Sequence, residues 1–325
     1  MLEYYAVFQI ILFFIYFREQ KVEQKPAINV AFCLDSKFLM QTCVSITSLL
    51  TSAKDKCRYN IYCVLGKDIS EKNRKELEDS VFKFSNDSKI IFLNENGSYD
   101  NAHIPPGRDE WSKAVYYRLM LPDLIPNADK VIYIDSDTVI LRDLIEMNNI
   151  DFNDNYVLGC LDFLNDDVLW EQKYGNYWLH LEKRQCINTG MMIMNLKKIR
   201  QDNLSEKWIE LAKKEVRCVD QDVINSTCLG KIGLLPTIYN RAVVDKTKIK
   251  SAITEEDLQK IVILHYVYPK PWIEKGKLSD LWWNCAEMTD FYPQLNLNYS
   301  INRLKQTKNK ESEINAKPKA FFEDI

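Results

Sequence analysis

Between Ile28 and Asp137 the chain alternates short, predominantly apolar runs with longer amphipathic ones, a rhythm that few architectures accommodate. "INVAFCL" reads as a buried strand, and "LMQTCVSITSLL" then places Leu39, Cys43, Ile46 and Leu50 at helical spacing. "YNIYCVL" is a second strand. "ISEKNRKELEDSVFKF" is a helix with Ser70 as its N-cap and Leu77, Val81 and Phe84 on one face. "KIIFL" and "KVIYI" supply a third and a fourth strand. Strands that alternate with helices are joined by crossovers, so the sequence predicts an α/β fold. Its sheet is mostly parallel and twisted, with helices on both faces. Farther on, "NYVLGCLD", "INTGMMIMNL" and "KIVILHY" read as strands and "LSEKWIELAKKEV" as an amphipathic helix, with no internal repeat.

The fourth strand ends unusually. "KVIYIDSDTVIL" puts Asp135 and Asp137 directly after an apolar run. Residues two apart on an extended chain point the same way, so both carboxylates project past the carboxyl end of a parallel strand, where open α/β sheets bind ligands. Two convergent carboxylates repel unless a cation joins them, and hard oxygen ligands suit Mg²⁺ or Mn²⁺. Such a cation would hold a polyphosphate. The alternative is a turn in which each Asp bonds its own backbone. A second D-x-D, "DQD" at Asp220 to Asp222, shows how readily the pattern arises.

Among the nine glycines there is neither a G-x-x-x-x-G-K-[ST] loop nor a G-x-G-x-x-G turn, which argues against a P-loop NTPase and a dinucleotide-binding dehydrogenase. Phosphate would then be held by metal and side chains. "LHYVYPKPW" offers both: His265 closes a strand, and Lys270 stands between two prolines. Imidazole beside carboxylates favours Mn²⁺ over Mg²⁺.

Composition bounds the remaining classes. The 325 residues are 46% hydrophobic and 27% charged, with a net charge of −3, so no overall basic field recruits nucleic acid. Nine cysteines, an odd number without a C-x-x-C pair, read as small core residues in a reducing, cytoplasmic setting. Tyr4 to Phe17 is uncharged for 14 residues. That is shorter than the roughly 17–25 residues of a membrane span, so residues 1–27 are expected as a peripheral apolar extension. A start site placed too early and a true anchor are the alternatives. One domain is expected over residues 28–295. Residues 296–325 are expected as a flexible basic tail, with peripheral contact to the inner membrane surface as the alternative to a solvated terminus.

These motifs together resemble the retaining family 8 glycosyltransferases of bacterial lipopolysaccharide, lipooligosaccharide and capsule synthesis. The resemblance covers about Ile28 to Pro293. It rests on "VAFCLD", "YYRLMLPDLIP", "DKVIYIDSDTVI", "INTGMMIMNL", "DQDVIN" and "LHYVYPKPW", in that order, with the aromatic "LWWNCAEMTDFY" after them. It implies the GT-A type fold and transfer of glucose or galactose from a UDP-sugar to a glycan or glycolipid acceptor, with Mn²⁺ and retained anomeric configuration. By motif, it implies Asp135, Asp137 and His265 as metal ligands, Asp35 at the uridine, Arg118 near the donor and Lys270 at the diphosphate. Asp162, Asn188, Asp220 and Gln221 match positions around the donor sugar. The plainer readings are an exposed charge for Arg118, a turn residue for Asn188 and a helix N-cap for Asp220. "VYP" replaces the longer, glycine-containing stretch that the family often has before K-P-W, which puts Tyr268 near the usual glycine. A nucleotidyltransferase and a non-catalytic nucleotide-sugar-binding protein are the competing readings.

Overall fold

The computed structural model describes residues 25–316 apart from 109–110, 164–169, 172–173, 175–176, 182, 247–248 and 251–252. The apolar run expected as an N-terminal extension lies outside the described residues, except for its last three positions; Ala27 already begins the first strand.

Four parallel strands build the first half of the sheet in the order β3-β2-β1-β4. They are β1 (Ala27–Leu34), β2 (Arg58–Leu65), β3 (Lys89–Asn94) and β4 (Val131–Ile134). The crossovers are α1 (Leu39–Ala53) and α2 (Glu71–Phe84). The Ser70 hydroxyl accepts from the Asn73 amide at 3.2 Å and caps α2 as the sequence predicts. The sheet continues with β7 (Ile187–Met194) antiparallel to β4, β6 (Val157–Leu161) antiparallel to β7, and β8 (Ile232–Leu234) at the edge.

The pleat sends alternate residues of β1 to opposite faces. Val30, Phe32 and Leu34 pack with Cys43, Ile46 and Leu49 of α1. Ala31 faces the other way, into a cluster with Tyr116, Leu119, Trp208 and Val223. That second layer contains α5 (Leu196–Gln201), α6 (Leu204–Ala212) and α7 (Val219–Thr227); α3 (Leu121–Leu124) and α4 (Ile145–Asn148) are single turns.

A smaller sheet was not expected from the sequence. Its order is β10-β9-β11-β5, from β5 (Thr138–Ile140), β9 (Arg241–Lys246), β10 (Ile249–Lys250) and β11 (Ile263–Tyr268). The single turn α8 (Glu255–Leu258) leads into β11, and α9 (Ser279–Glu287) packs Trp282 and Trp283 beneath this sheet with Tyr266 and Val139. Helix α1 lies between the two sheets, and 12 of its 15 residues are buried, so even its hydroxyl side chains point into protein.

The expected flexible tail is instead helical as far as Ala316, in α10 (Tyr292–Ala316). Its start is anchored by Leu295, buried in the cluster around Trp282, and by Tyr299, whose ring meets Trp283 at 5.4 Å. Those two contacts give the helix an apolar side to pack, which the charge pattern of the segment conceals. No helix among the described residues is long and apolar enough to cross a membrane.

Candidate active site

The site forms where the two sheets meet. β4 is buried at every position, and its chain leaves the large sheet at Asp135, whose amide donates to the Gly190 carbonyl at 2.8 Å. Three residues later β5 has joined the small sheet, antiparallel to β11, with Thr138 opposite His265. The Tyr266 amide donates to the Asp137 carbonyl at 2.9 Å. Asp135-Ser136-Asp137 is therefore the bridge between sheets, and the same pairing brings His265 to it.

Helix α1 clamps this bridge with a stripe of hydroxyls at every third position. Thr42 Oγ1 meets Ser136 Oγ at 2.7 Å, and Ser45 Oγ meets Thr138 Oγ1 at 2.7 Å. Ser48 Oγ accepts from the Ile140 amide at 2.9 Å. Thr138 Oγ1 also lies 2.8 Å from the Asp135 carbonyl and closes the turn. Thr42, Ser45, Ser48 and Thr138 are at most 1% exposed. Buried hydroxyls need partners, and here each side satisfies the other.

Asp135, Asp137 and His265 each turn one ligand atom inward, and these atoms lie within 4.8 Å of one another. His265 Nε2 is 3.2 Å from Asp137 Oδ1 and 3.9 Å from Asp135 Oδ2. His265 Nδ1 is 3.1 Å from Asn240 Oδ1. An amide oxygen can only accept, so Nδ1 donates to it, and Nε2 is the nitrogen turned toward the carboxylates. Asp137 Oδ1 is buried and has no hydrogen bond. An imidazole nitrogen and an unpartnered carboxylate oxygen, turned toward each other, are complementary around a cation. The donor set thus fits a divalent ion of the Mn²⁺ or Mg²⁺ kind.

Lys270 pairs with Asp137 Oδ2 and donates to the Tyr266 carbonyl at 2.7 Å. Burial alone would raise the Asp137 pKa; Lys270 and then His265 overcome that and hold it well below the usual carboxylate range.

Arg118 is 6% exposed, not the exposed charge of the plainer reading. It lies in a 3₁₀ segment, Lys113–Met120, whose N-cap Ser112 donates to Asp35 Oδ2 at 2.6 Å. Its guanidinium reaches Asp135 at 3.0 Å, Asp220 at 3.2 Å and the Thr189 carbonyl at 2.8 Å, over the face of Tyr133. Tyr133 donates to Asp135 Oδ1 at 2.5 Å. Burial pushes Asp220 up from 3.8 to about 6, against the pull of Arg118. Asp220 does not cap its helix. It stands inside the first turn of α7, after Cys218, and accepts from Thr189 Oγ1 at 2.8 Å.

A chain of amides runs from the imidazole to Asp162. Asn240 donates to Asn188 Oδ1 at 2.9 Å, Asn188 to Gln221 Oε1 at 3.3 Å, and Gln221 to Asp162 Oδ2 at 2.6 Å. Asn188 is a strand residue of β7 rather than a turn residue. Asp35 follows β1 and bonds Ser112 and the Lys37 amide at 3.0 Å, so it joins this network through the Arg118 segment rather than through the acids.

Several contributors were not singled out as site residues from the sequence. Gly190 is one: a Cβ there would stand 2.2 Å from His265 Cε1 and 2.8 Å from Asp135 Oδ2. Asn240, Tyr133 and Thr189 are others. Only "NTG" inside a buried strand hinted at Gly190, since glycine in a strand marks a close approach.

The sequence profile described as "Glycosyl transferase family 8" matches residues 29–276. The chain belongs to this family. A lipopolysaccharide 1,2-glucosyltransferase of Escherichia coli is 24% identical over 267 residues, which is 78% of this family 8 chain and 76% of that protein. The lipopolysaccharide 1,3-galactosyltransferase of Salmonella typhimurium is 21% identical over 334 residues, 92% of this chain and 95% of that one. Among solved structures, the galactosyltransferase LgtC in complex with donor and acceptor sugar analogues superimposes with a TM-score of 0.66 at 22% identity. That match covers 81% of this family 8 chain and 96% of LgtC. The fold is the GT-A type, and the chain is a glycosyltransferase. GT-A glycosyltransferases use a divalent metal and a nucleotide sugar, and this family 8 member has an acid–imidazole cluster that fits the metal.

Proposed function

We propose that this enzyme transfers glucose or galactose from a UDP-sugar to a glycan or glycolipid acceptor, with retention of configuration, at a site holding Mn²⁺ between Asp135, Asp137 and His265. The observation that carries the reading is the buried Asp137 oxygen without a hydrogen bond, set against Nε2 of His265. When bound, the divalent ion neutralises charge on the departing diphosphate, worth several kcal/mol in the transition state.

The chain's own residues do the rest. Lys270, now paired with Asp137, can exchange that partner for a phosphate oxygen and stabilise the leaving group. Arg118 locks Asp135 and Asp220 into one orientation and stays charged, because those two acids push its pKa up against burial. Asp35 reads the uridine. Asp162, Asn188, Asp220 and Gln221 surround the sugar and support positive charge at the anomeric carbon. Gln221 already donates one amide hydrogen to Asp162 and accepts from Asn188. An amide so engaged is a poor nucleophile, which favours attack by the acceptor from the face that the phosphate leaves. Isolation of a glycosyl adduct on Gln221 or Asp220 would sink that route.

The acceptor class follows from relatives named for lipopolysaccharide transfer. Nine free cysteines fit a cytoplasmic enzyme acting at the inner membrane surface. A screen for UDP release across UDP-sugars, with and without Mn²⁺, tests the reading. Metal-dependent UDP release supports it. Pyrophosphate release would indicate nucleotidyl transfer, and binding without turnover a non-catalytic protein.

A further inference from the structure

A cavity of about 290 Å³ opens between the first turn of α1, the residues after Lys270 and α10. Small-molecule sites run from about 300 to 1,000 Å³, so its occupant is about the size of one monosaccharide. Trp272 supplies an aromatic wall, and Gln41, Asn298 and Asn302 supply amides; the exposed Lys37 and Lys305 add positive charge. Gln41 is the decisive member. It is 6% exposed, and its Oε1 is buried without a hydrogen-bond partner. An orphaned buried acceptor is costly, and a turn of the Gln41 amide toward the cavity would pair it with a hydroxyl donor there. An indole face with amides and an unpaired acceptor suits a polyhydroxylated ring, and the two ammonium groups suit an acidic substituent on it.

Three walls of this cavity continue into the site already described. Lys37 follows Asp35 by two residues, Gln41 precedes Thr42, which bonds Ser136 between the two acids, and Trp272 follows Lys270 by two residues. We infer that the cavity is a second carbohydrate site, for a monosaccharide unit bearing a phosphate or a carboxylate, backing on the donor site through these shared segments. The inference goes beyond the transferase reading, and its first test needs no turnover, so the two can fail separately.

Saturation-transfer NMR on the full chain, without metal or nucleotide, is run with glucose 6-phosphate, glucuronate, glucose and inorganic phosphate as separate probes. Transfer to the ring protons of both acidic sugars, weaker transfer to glucose, and no displacement by inorganic phosphate at equal concentration are expected. Gln41→Leu removes the orphaned acceptor without opening a void, and Asn302→Ala and Lys305→Ala change partly exposed positions. Each is expected to weaken the acidic sugars about tenfold, while Mn²⁺ affinity at the acid cluster is unchanged. An oligosaccharide containing a phosphorylated sugar that competes would assign the site to an acceptor glycan. Binding of the free sugar phosphate without such competition would assign it to a small metabolite of the same chemistry. No transfer to either acidic sugar at millimolar concentration, displacement by phosphate alone, or undiminished binding in all three variants would overturn the inference.

Discussion

At the scale of single residues, Asp137 carries two incompatible demands. Its Oδ2 is paired with Lys270, and its Oδ1 is buried without a hydrogen bond beside the imidazole Nε2 of His265. Removing the carboxylate deletes a proposed ligand but little packing. Asp137→Ala is expected to leave the circular dichroism spectrum unchanged, to abolish measurable Mn²⁺ binding and to lower turnover by about 10³-fold, which is roughly 4 kcal/mol. Retained activity with the wild-type metal response would remove Asp137 from the metal site. Asp220 makes a prediction about pH. Its folded pKa is near 6, raised from 3.8 by burial, so between those values the folded chain holds a proton that the unfolded chain has released. The sign follows from linkage: stability falls as pH rises wherever the folded state binds more protons. The stability of the wild type relative to Asp220→Asn is therefore expected to fall as pH rises from 4 to about 7 and to level off above, in urea titrations at each pH. A flat difference would place the Asp220 proton elsewhere. D-x-D and the lysine of K-P-W were legible at this scale because their chemistry depends on residue type. Gly190 and Asn240 were not, since each acts only through what stands opposite it in space.

At the scale of elements, α1 was legible as a helix but not as a clamp. The pattern Leu39, Cys43, Ile46 and Leu50 gives its apolar side, and nothing in the sequence marks Thr42, Ser45 and Ser48 as buried. They are buried because β5 covers them, and β5 has only three residues, too short for a periodic signal. Ser136 is the test of the clamp. Ser136→Ala breaks the contact to Thr42 and leaves both acids in place. It is expected to cost about 1 kcal/mol of stability, yet to lower Mn²⁺ affinity by 10–100-fold, the range for residues that orient ligands. Ser136→Thr, which keeps the hydroxyl, is expected to recover most of that affinity. An equal loss in both variants would show that the hydroxyl pair is packing alone. The same reasoning explains why α10 was read as a tail: its lysines dominate the sequence pattern, while its apolar packing comes from a few residues near its start, Tyr292, Leu295 and Tyr299.

At the scale of the whole molecule, the large sheet was legible because its strand–helix alternation is long and regular, whereas the small sheet was not. β5 and β10 are short, and β11 pairs with β5 across 122 to 126 residues of sequence. That pairing determines how the site couples to the fold. Asp135 belongs to the end of one sheet, His265 lies in the other, and Arg118 and Asp220 come from the layer beneath. A ligand that joins these groups ties separately packed clusters together, so binding is expected to stabilise the entire fold rather than one loop. Whatever binds only the folded state adds RT ln(1 + [L]/Kd), about 2.7 kcal/mol at a hundredfold excess over Kd. For a chain longer than 250 residues each kcal/mol is worth roughly 2–4 °C or less. Mn²⁺ with UDP is therefore expected to raise the melting temperature by several degrees, with UDP alone giving a smaller rise. His265→Ala should lose the metal-dependent part and keep the part due to UDP alone. If instead His265→Ala kept the full rise, the imidazole would be only a structural partner of Asn240, and the meeting of the two sheets would serve packing rather than catalysis.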